Sequence, residues 1–317
     1  MKLFIARRAL LALAILFVAS VLIFVATQLL PGNAAIAILG KAATPARVRE
    51  LDQQLHLNGS AISQYSHWLG GVLTGHLGTS LASGTPVSSA IGGRLVNTAF
   101  LVAASAVVGI PLGFIVGIAC AAWRDRWPDN ALSSVIVFLS AIPEFILGLI
   151  LVIIFGTVVW QVLPATADLP SGTQPWDDLT AVVLPALTLA LAIVPYVARI
   201  MRAAMVDALS SDYVEFAQLR GLSRRRVVLR HALPNAFAPV AQAIAISLAY
   251  LAGGAIVVEY IYAYPGIGQG LVYAVQARDV PIIQITTVIL AAFYVLLNLA
   301  ADIVTVVLTP RVRTGAI

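Results

Sequence analysis

Six long apolar stretches limit what this chain can fold into. Each is long enough to cross about 30 Å of hydrocarbon as an α-helix. A soluble core could not bury so much apolar surface, because 60% of the 317 residues are hydrophobic and 10% are charged. The sequence therefore predicts an all-α polytopic membrane protein with six transmembrane helices, which we place at Ala9 to Leu30, Thr98 to Trp123, Ala131 to Trp160, Ala181 to Ile200, Ala236 to Val258 and Ile282 to Leu308.

The distribution of positive charge predicts how these helices are oriented. When the amino terminus is placed inside, most of the 19 lysines and arginines fall in cytoplasmic segments. This inside-positive bias predicts that both termini are cytoplasmic. The net charge of +5 then reflects loops that face anionic lipid rather than a nucleic-acid partner.

One sizeable segment, residues 31–97, is predicted to face outward. Thr44-Pro45 can start a short helix that runs to Leu55, and Ile62 to Leu73 can form another. These helices are too small for an independent domain, so we expect them to lie over the mouth of the helix bundle. We divide the chain into a tail with the first span (1–30), this loop (31–97), a transmembrane core (98–308) and a cytoplasmic tail (309–317).

The chain lacks the residue patterns of an enzyme that hydrolyses nucleotides. Lys41 follows a glycine, but Ala35 and Ala42 stand where a phosphate-binding Walker loop needs glycine and serine or threonine. We therefore expect this chain not to hydrolyse ATP by itself. The run Gly266 to Gly270 has no strand before it and lacks the third glycine of a dinucleotide loop, so we interpret it as a tight external turn.

Metal and cofactor sites are not predicted either. Cys120 is the single cysteine and lies in an apolar run. His56, His67 and His76 are spaced so that no two share one helical face, which favours solvated or loop-packing histidines over metal ligands.

The longest charged interval between two apolar segments is Met201 to Pro234. Ser210-Ser211-Asp212 can cap a short helix that runs through Arg220, and Gly221 can supply a left-handed turn. This arrangement predicts a helix lying on the cytoplasmic membrane face.

A second short helix is predicted after the turn. Ser223 can cap it, and it runs through His231 until Pro234 stops it. The charged residues of this interval could form a solvated surface facing lipid headgroups, or they could grip a partner in the cytoplasm.

Residues Glu215 to Gly221, followed by His231-Ala232-Leu233-Pro234-Asn235, resemble the EAA loop of ABC-importer permeases. We call Glu215 to Pro234 the EAA loop. Phe216 and His231 depart from the usual pattern in a way that resembles the peptide-permease variant. The matching positions are Glu215, Ala217, Gly221, Leu233 and Pro234.

The resemblance extends over nearly the whole chain. The opening Phe4 to Arg8 with Leu30-Pro31-Gly32, the external Gly75 to Ser80, and the stretch from Glu259 to Pro281 are similar to B-type permeases of dipeptide and oligopeptide importers. The sequence departs from that pattern at Asn33, His76 and Thr309, where aspartate is frequent.

This resemblance implies a type I ABC importer permease fold and a transport role. The helix from Glu215 to Gly221 would couple to a cytoplasmic ATPase, and Arg224 would pair either with acidic residues of that ATPase or with lipid headgroups. The implied partners are a second, C-type permease subunit, one or two ATPase subunits that bind ATP and magnesium, and an extracytoplasmic peptide-binding protein. The implied cargo is a dipeptide or oligopeptide, with nickel or glutathione as alternatives.

An ion-coupled secondary transporter is the competing class. Such a protein needs its own gradient-coupling carboxylates and usually more spans arranged in inverted repeats. We find no convincing internal repeat, and intramembrane acids are few.

Glu144 is the candidate residue for the translocation pathway. It falls near the middle of the predicted third span, where a carboxylate costs about 2.5 to 3.5 kcal/mol. It is expected either to contact the amino terminus of a peptide cargo or to form a buried hydrogen bond to a neighbouring helix.

Overall fold

The computed structural model describes residues 2–29, 44, 46, 60–170 and 172–308. Within these ranges the chain is helical and contains no strand, only an isolated bridge between Thr79 and Pro86. Two π-helical turns, Val152–Thr157 and Val228–Ala232, interrupt the α-helices. The α-helices are α1 (Lys2–Gln28), α2 (Ala61–Thr74), α3 (Val87–Ala122), α4 (Trp127–Ala141), α5 (Glu144–Leu151), α6 (Leu179–Leu209), α7 (Asp212–Leu219), α8 (Arg224–Val227), α9 (Leu233–Ile261), α10 (Ile267–Ala277) and α11 (Val280–Leu308).

Five of these helices, α1, α3, α6, α9 and α11, contain continuous segments long and apolar enough to cross a membrane. The pair α4 and α5 supplies a sixth, broken span, so the all-α fold with six spans is confirmed. Following the predicted orientation, we call the end of the bundle that carries α2 and α10 the outer end, and the end that carries α7 the inner end.

The prediction of one continuous third helix from Ala131 to Trp160 is wrong. The axes of α4 and α5 are bent by 103° where Ile142 and Pro143 separate them. Proline lacks an N–H donor and disfavours helical backbone in the preceding residue, and Ile142 is extended. Pro143 therefore ends α4 and becomes the residue that precedes the first turn of α5.

Several predicted ends also shift. Helix α3 begins at Val87, well before the predicted Thr98, and α6 continues to Leu209 rather than ending at Ile200. Helix α2 confirms the predicted helix at Ile62 to Leu73. The predicted helix from Thr44 to Leu55 lies outside the described residues, apart from positions 44 and 46.

Helices α3 and α6 are packed along a row of glycines on α3. Gly109, Gly113 and Gly117 are spaced four residues apart, so they share one face of the helix. A Cβ atom added to Gly113 would lie 2.8 Å from the Val197 side chain, and one added to Gly117 would lie 2.6 Å from the carbonyl oxygen of Ala198. The two backbones are thus in close contact, as small residues permit in membrane helices. We call this contact the glycine seam.

Helix α6 is fixed at its inner end by an ion pair with α4. Asp129, which is 1% exposed, receives bonds from Nε (2.9 Å) and Nη2 (2.6 Å) of Arg202. The backbone N–H of Asp125 and the hydroxyl of Ser133 donate to the same carboxylate. Both oxygens of Asp129 are therefore bonded within the chain.

The outer end of α6 is capped by Asp178. The side-chain hydroxyl of Thr180 donates to Asp178 Oδ1 at 2.5 Å, and the backbone N–H groups of Thr180 and Ala181 donate to the same oxygen. These bonds, led by the Thr180 hydroxyl, lower the pKa of Asp178 from its ordinary value. The cap satisfies donors that the start of a helix otherwise leaves open.

Candidate functional site

The first half of the EAA loop forms the predicted helix and turn, although no side chain caps the start of α7. Helix α7 ends at Leu219, and Gly221 adopts φ +77°, which confirms the left-handed turn. The N–H of Gly221 donates to the carbonyl of Gln218 at 2.9 Å, and that of Leu222 donates to the carbonyl of Ala217 at 3.3 Å. A residue with a Cβ would meet a cost of roughly 1–2 kcal/mol in this conformation.

Helix α7 has one buried and one exposed face. Val214 and Ala217 are buried against Val227. Phe216 is 64% exposed and Leu219 is 76% exposed. Together with the exposed Asp212 and Glu215 they recur at helical spacing, so they form one face. We call this face, made of Asp212, Glu215, Phe216 and Leu219, the docking face.

The second half of the EAA loop departs from the prediction. Instead of stopping at Pro234, the chain continues from α8 through the π-helical turn directly into α9. Pro234 occupies the first turn of α9, where a missing N–H costs little because helix starts leave such donors unpaired. Leu233 packs against the buried cluster that contains Met201 and Met205.

Arg224 bonds within the chain. Its Nη2 donates to the carbonyl oxygen of Ala122, the last residue of α3. With Arg124 it lines a cleft of about 460 Å³ between α3, α6 and the EAA loop. A cation at the carboxyl end of a helix is favourable for the helix dipole, so this contact ties the loop to α3.

Glu144 lies at the bend between α4 and α5 rather than in the middle of a straight span. Its carboxylate is half-buried, and Oε2 accepts a hydrogen bond from the hydroxyl of Tyr250 on α9 at 2.8 Å. A Cβ atom added to Gly254 would lie 3.1 Å from Oε1. The expected hydrogen bond to a neighbouring helix is therefore present, but it is exposed rather than buried, and the carboxylate keeps part of its surface open.

A cavity of about 200 Å³ lies next to Tyr250, between α4, α6 and α9. Sequence reasoning missed this site because Arg199, which lines it, was counted with the cytoplasmic charges. The structure places Arg199 inside α6, well before the helix ends at Leu209. The signal that could have found it is an arginine inside the predicted span Ala181 to Ile200.

Sequence reasoning also missed a buried glutamate at the outer end. Glu259 is 0% exposed. Its Oε1 accepts a bond from the Thr98 hydroxyl at 2.5 Å, and its Oε2 accepts from the N–H groups of Gly268 at 2.7 Å and Gln269 at 3.2 Å. A Cβ atom added to Gly266 would lie 2.2 Å from this carboxylate. We call this arrangement the glutamate latch.

The glutamate latch overturns the interpretation of Gly266 to Gly270 as a tight external turn. These glycines begin α10, whose first N–H groups point at a carboxylate, a favourable partner for a helix start. Arg94 on α3 donates to the carbonyl of Gly266 at 3.2 Å, and Asn97 donates to the preceding carbonyl at 2.9 Å. The latch therefore joins α3, α9 and α10.

No group of three or more metal-ligating side chains is found in the described part of the chain. His67 and His76 are both exposed, and His56 lies outside the described residues.

The chain matches two related protein families. One is described as "Binding-protein-dependent transport system inner membrane component" and matches residues 109–314. The other, "Binding-prot-dependent transport system membrane comp, N-term", matches residues 1–102. Between them the matches cover most of the chain.

Individual proteins are similar over the same extent. "Glutathione transport system permease protein GsiC" of Escherichia coli O6:H1 (strain CFT073) is 36% identical over 299 residues, which is 94% of each chain. Proteins of the same name from Escherichia coli strain K12 and Salmonella choleraesuis are 35% and 36% identical.

The fold is similar to a chain of the MetNI methionine ABC transporter in an inward-facing conformation. The TM-score is 0.55 at 20% identity, covering 67% of this chain and 93% of that one. At this identity the likeness concerns the fold alone.

Proposed function

Because this chain belongs to the family of binding-protein-dependent transport system inner membrane components and is a non-catalytic permease subunit of a bacterial ABC importer, we propose that it carries short peptides into the cytoplasm. Transport proceeds by alternating access, in which the helices rock between outward-open and inward-open arrangements. Separate ATPase subunits bind ATP and magnesium and supply the energy. Both termini face the cytoplasm.

The docking face of α7 is the observation that carries the coupling role. Phe216 and Leu219 expose apolar surface beside two acidic residues on a helix whose opposite side is buried. Exposed apolar groups with a polar rim mark protein interaction sites. We propose that an ATPase subunit covers this face.

The connections of the EAA loop suit it to transmit movement. Helix α7 follows α6 after a two-residue connection, and Arg224 bonds to the end of α3. A displacement of α7 by the ATPase is then passed to two membrane-spanning helices. Gly221 provides the fixed turn between α7 and the rest of the loop.

The proposed cargo class is supported by the relatives named as glutathione permeases, because glutathione is itself a tripeptide. Glutathione is for that reason the second candidate alongside ordinary dipeptides and oligopeptides. Glu144 is proposed to bind the amino end of the cargo, since its half-buried carboxylate retains open surface at the bend. The proposed assembly pairs this subunit with a C-type permease subunit, one or two ATPase subunits and an extracytoplasmic binding protein.

Two variants test the coupling role in the complete importer reconstituted in proteoliposomes. Glu215→Arg reverses a charge on the docking face, and Gly221→Val removes the residue that tolerates φ +77°. We expect peptide uptake and binding-protein-stimulated ATP hydrolysis to fall at least about tenfold, the effect of losing roughly 1.4 kcal/mol of coupling.

The matched control is Asp207→Arg, which makes the same charge change at an exposed position of α6 outside the docking face. Its uptake should stay near wild type, and all three variants should insert into the membrane normally. Wild-type uptake in both Glu215→Arg and Gly221→Val would disprove the coupling role.

A further inference from the structure

The cavity beside Tyr250 has both polar and apolar lining and lies between membrane-spanning helices. The α4, α6 and α9 helices each contribute polar side chains to it. Its polar lining consists of Ser140, Tyr196, Arg199, Ser247 and Tyr250.

Arg199 lies at the inner boundary of the hydrocarbon. It follows the capped start of α6 by twenty residues, which at 1.5 Å per residue places it about 30 Å along the helix, the thickness of a bilayer core. Its side chain leaves the backbone toward the amino end of α6, which is the direction of Glu144. An arginine at this depth can reach the aqueous interface or a wet cavity, and Arg199 lines the cavity.

Arg199 differs from Arg202, which lies one turn further along α6. Arg202 is held by both oxygens of Asp129 and serves the fold. Arg199 is exposed, and no described residue forms a hydrogen bond or ion pair with it. Its guanidinium group is therefore open to a ligand.

Glu144 provides the opposite charge above this cavity. The Cβ position of Gly254 lies 3.1 Å from Glu144 Oε1 and 3.5 Å from Leu189, so Glu144 lies level with Leu189 on α6. Ten residues separate Leu189 from Arg199, about 15 Å along the helix. The Arg199 side chain extends toward Glu144 and so shortens this distance. Three extended peptide residues span at most about 10 Å, which is the scale of a molecule that could lie between the two groups.

We infer that Arg199 binds the terminal carboxylate of a short zwitterionic peptide whose amino end lies at Glu144. A guanidinium group pairs with a carboxylate through two parallel hydrogen bonds, which gives direction as well as affinity. This inference rests on the proposed function and adds the substrate class: a peptide of two to four residues with a free carboxyl end. Tyr196 and Tyr250, with Ser140 and Ser247, supply the other polar groups of the cavity.

The test compares trialanine with trialanine amide, which lacks only the terminal negative charge, together with glutathione, in the complete reconstituted importer. The wild type should take up the free acid at least about tenfold faster than the amide at equal low concentration. Arg199→Gln should lower uptake of the acid about 10- to 100-fold and leave uptake of the amide unchanged, so that the preference disappears. Arg199→Lys keeps the positive charge and should retain part of the preference. Arg126→Gln, which changes an exposed arginine outside the cavity, is the control and should keep all of it.

The outcomes separate the two levels of the proposal. If the wild type takes up the acid and the amide equally well, or if Arg199→Gln keeps the wild-type preference, the role of Arg199 is wrong and the importer function stands. The comparison within the wild type needs no variant, so it holds even if Arg199→Gln fails to fold. If the wild type takes up none of the three compounds, the proposed cargo class is overturned and this inference with it.

Discussion

Glu259 and Glu215 are two acidic residues of one chain in opposite situations. Glu259 is 0% exposed, and three donors from α3 and α10 fill its carboxylate. Glu215 is exposed on the docking face, and no described residue bonds to its side chain. A buried polar group whose bonds are complete within the chain holds the fold together. An exposed one without a partner in the chain is free to contact another molecule.

The same contrast separates Arg202 from Arg199 on α6. Arg202 is bonded to Asp129 by two hydrogen bonds, and Arg199 lines a cavity without a partner among the described residues. If the contrast is correct, removing a satisfied group should damage stability, and removing an open one on the docking face or in the cavity should damage transport.

The largest effect is expected from Glu259→Ala. It leaves the N–H groups of Gly268 and Gln269 and the hydroxyl of Thr98 without their acceptor, at about 1–3 kcal/mol for each buried group. Several kcal/mol is a large share of a typical folding free energy, so the yield of monodisperse protein in detergent should collapse. Glu215→Ala is the matched control and should purify and melt like the wild type. A wild-type melting temperature for Glu259→Ala would break the contrast.

A smaller effect is expected at the Asp129 ion pair. A double-mutant cycle of Asp129→Asn and Arg202→Gln should give a coupling energy toward the lower end of roughly 0.5–3 kcal/mol, because the Arg202 side chain is 34% exposed and solvent weakens the attraction. The free energy of unfolding in mixed detergent micelles measures it. A parallel cycle of Asp129→Asn with Arg199→Gln should give a coupling energy near zero. Equal coupling in the two cycles would mean that Arg199 also serves the fold.

The smallest effect concerns Asp178, a satisfied group at the surface. Its pKa is lowered in the folded protein from the ordinary value of 3.8. Its charged form therefore stabilises the native state when the pH is above that ordinary value. This contribution is lost as the pH falls through the lowered value, because both states are then protonated. The melting temperature of the wild type should fall slightly more between pH 6 and pH 3 than that of Asp178→Asn. Asparagine still caps the helix but does not titrate in this range. Parallel melting curves would show that Asp178 contributes nothing through its charge.

Much of the fold could be predicted because hydrophobicity reports on the membrane directly. The apolar stretches placed all six spans, and the conformational demand of a left-handed turn identified Gly221. The bend at Pro143 was not predicted, because the mean hydropathy of a long stretch does not reveal a break within it. Pro234 was expected to stop a helix, but it lies in the first turn of α9, where proline is tolerated.

The buried carboxylate site at Glu259 and the cavity at Arg199 could not be predicted from residues that are neighbours in the sequence. Thr98 and Glu259 are 161 positions apart in sequence, so only the folded arrangement of α3, α9 and α10 brings them together. Arg199 was assigned to the cytoplasm because the distribution of positive charge along the sequence does not distinguish an arginine that is paired with an acid, such as Arg202, from one that is not. Conversely, the residues of the EAA loop were found because they lie close together in the chain.

The glycine seam has a mechanical consequence. Helix α3 has 36 residues, so at 1.5 Å per residue it is about 54 Å long, which exceeds the thickness of a bilayer. Its outer part donates to the glutamate latch and its inner end accepts from Arg224. Because α6 is in close backbone contact with α3 at the glycine seam, a movement of one helix is passed to the other. Thermodynamic linkage makes the coupling between two sites joined in this way reciprocal. If a binding protein outside binds more tightly when an ATPase is engaged inside, its binding must strengthen that engagement by the same factor. The inner partner would then respond to a loaded binding protein before any cargo has crossed.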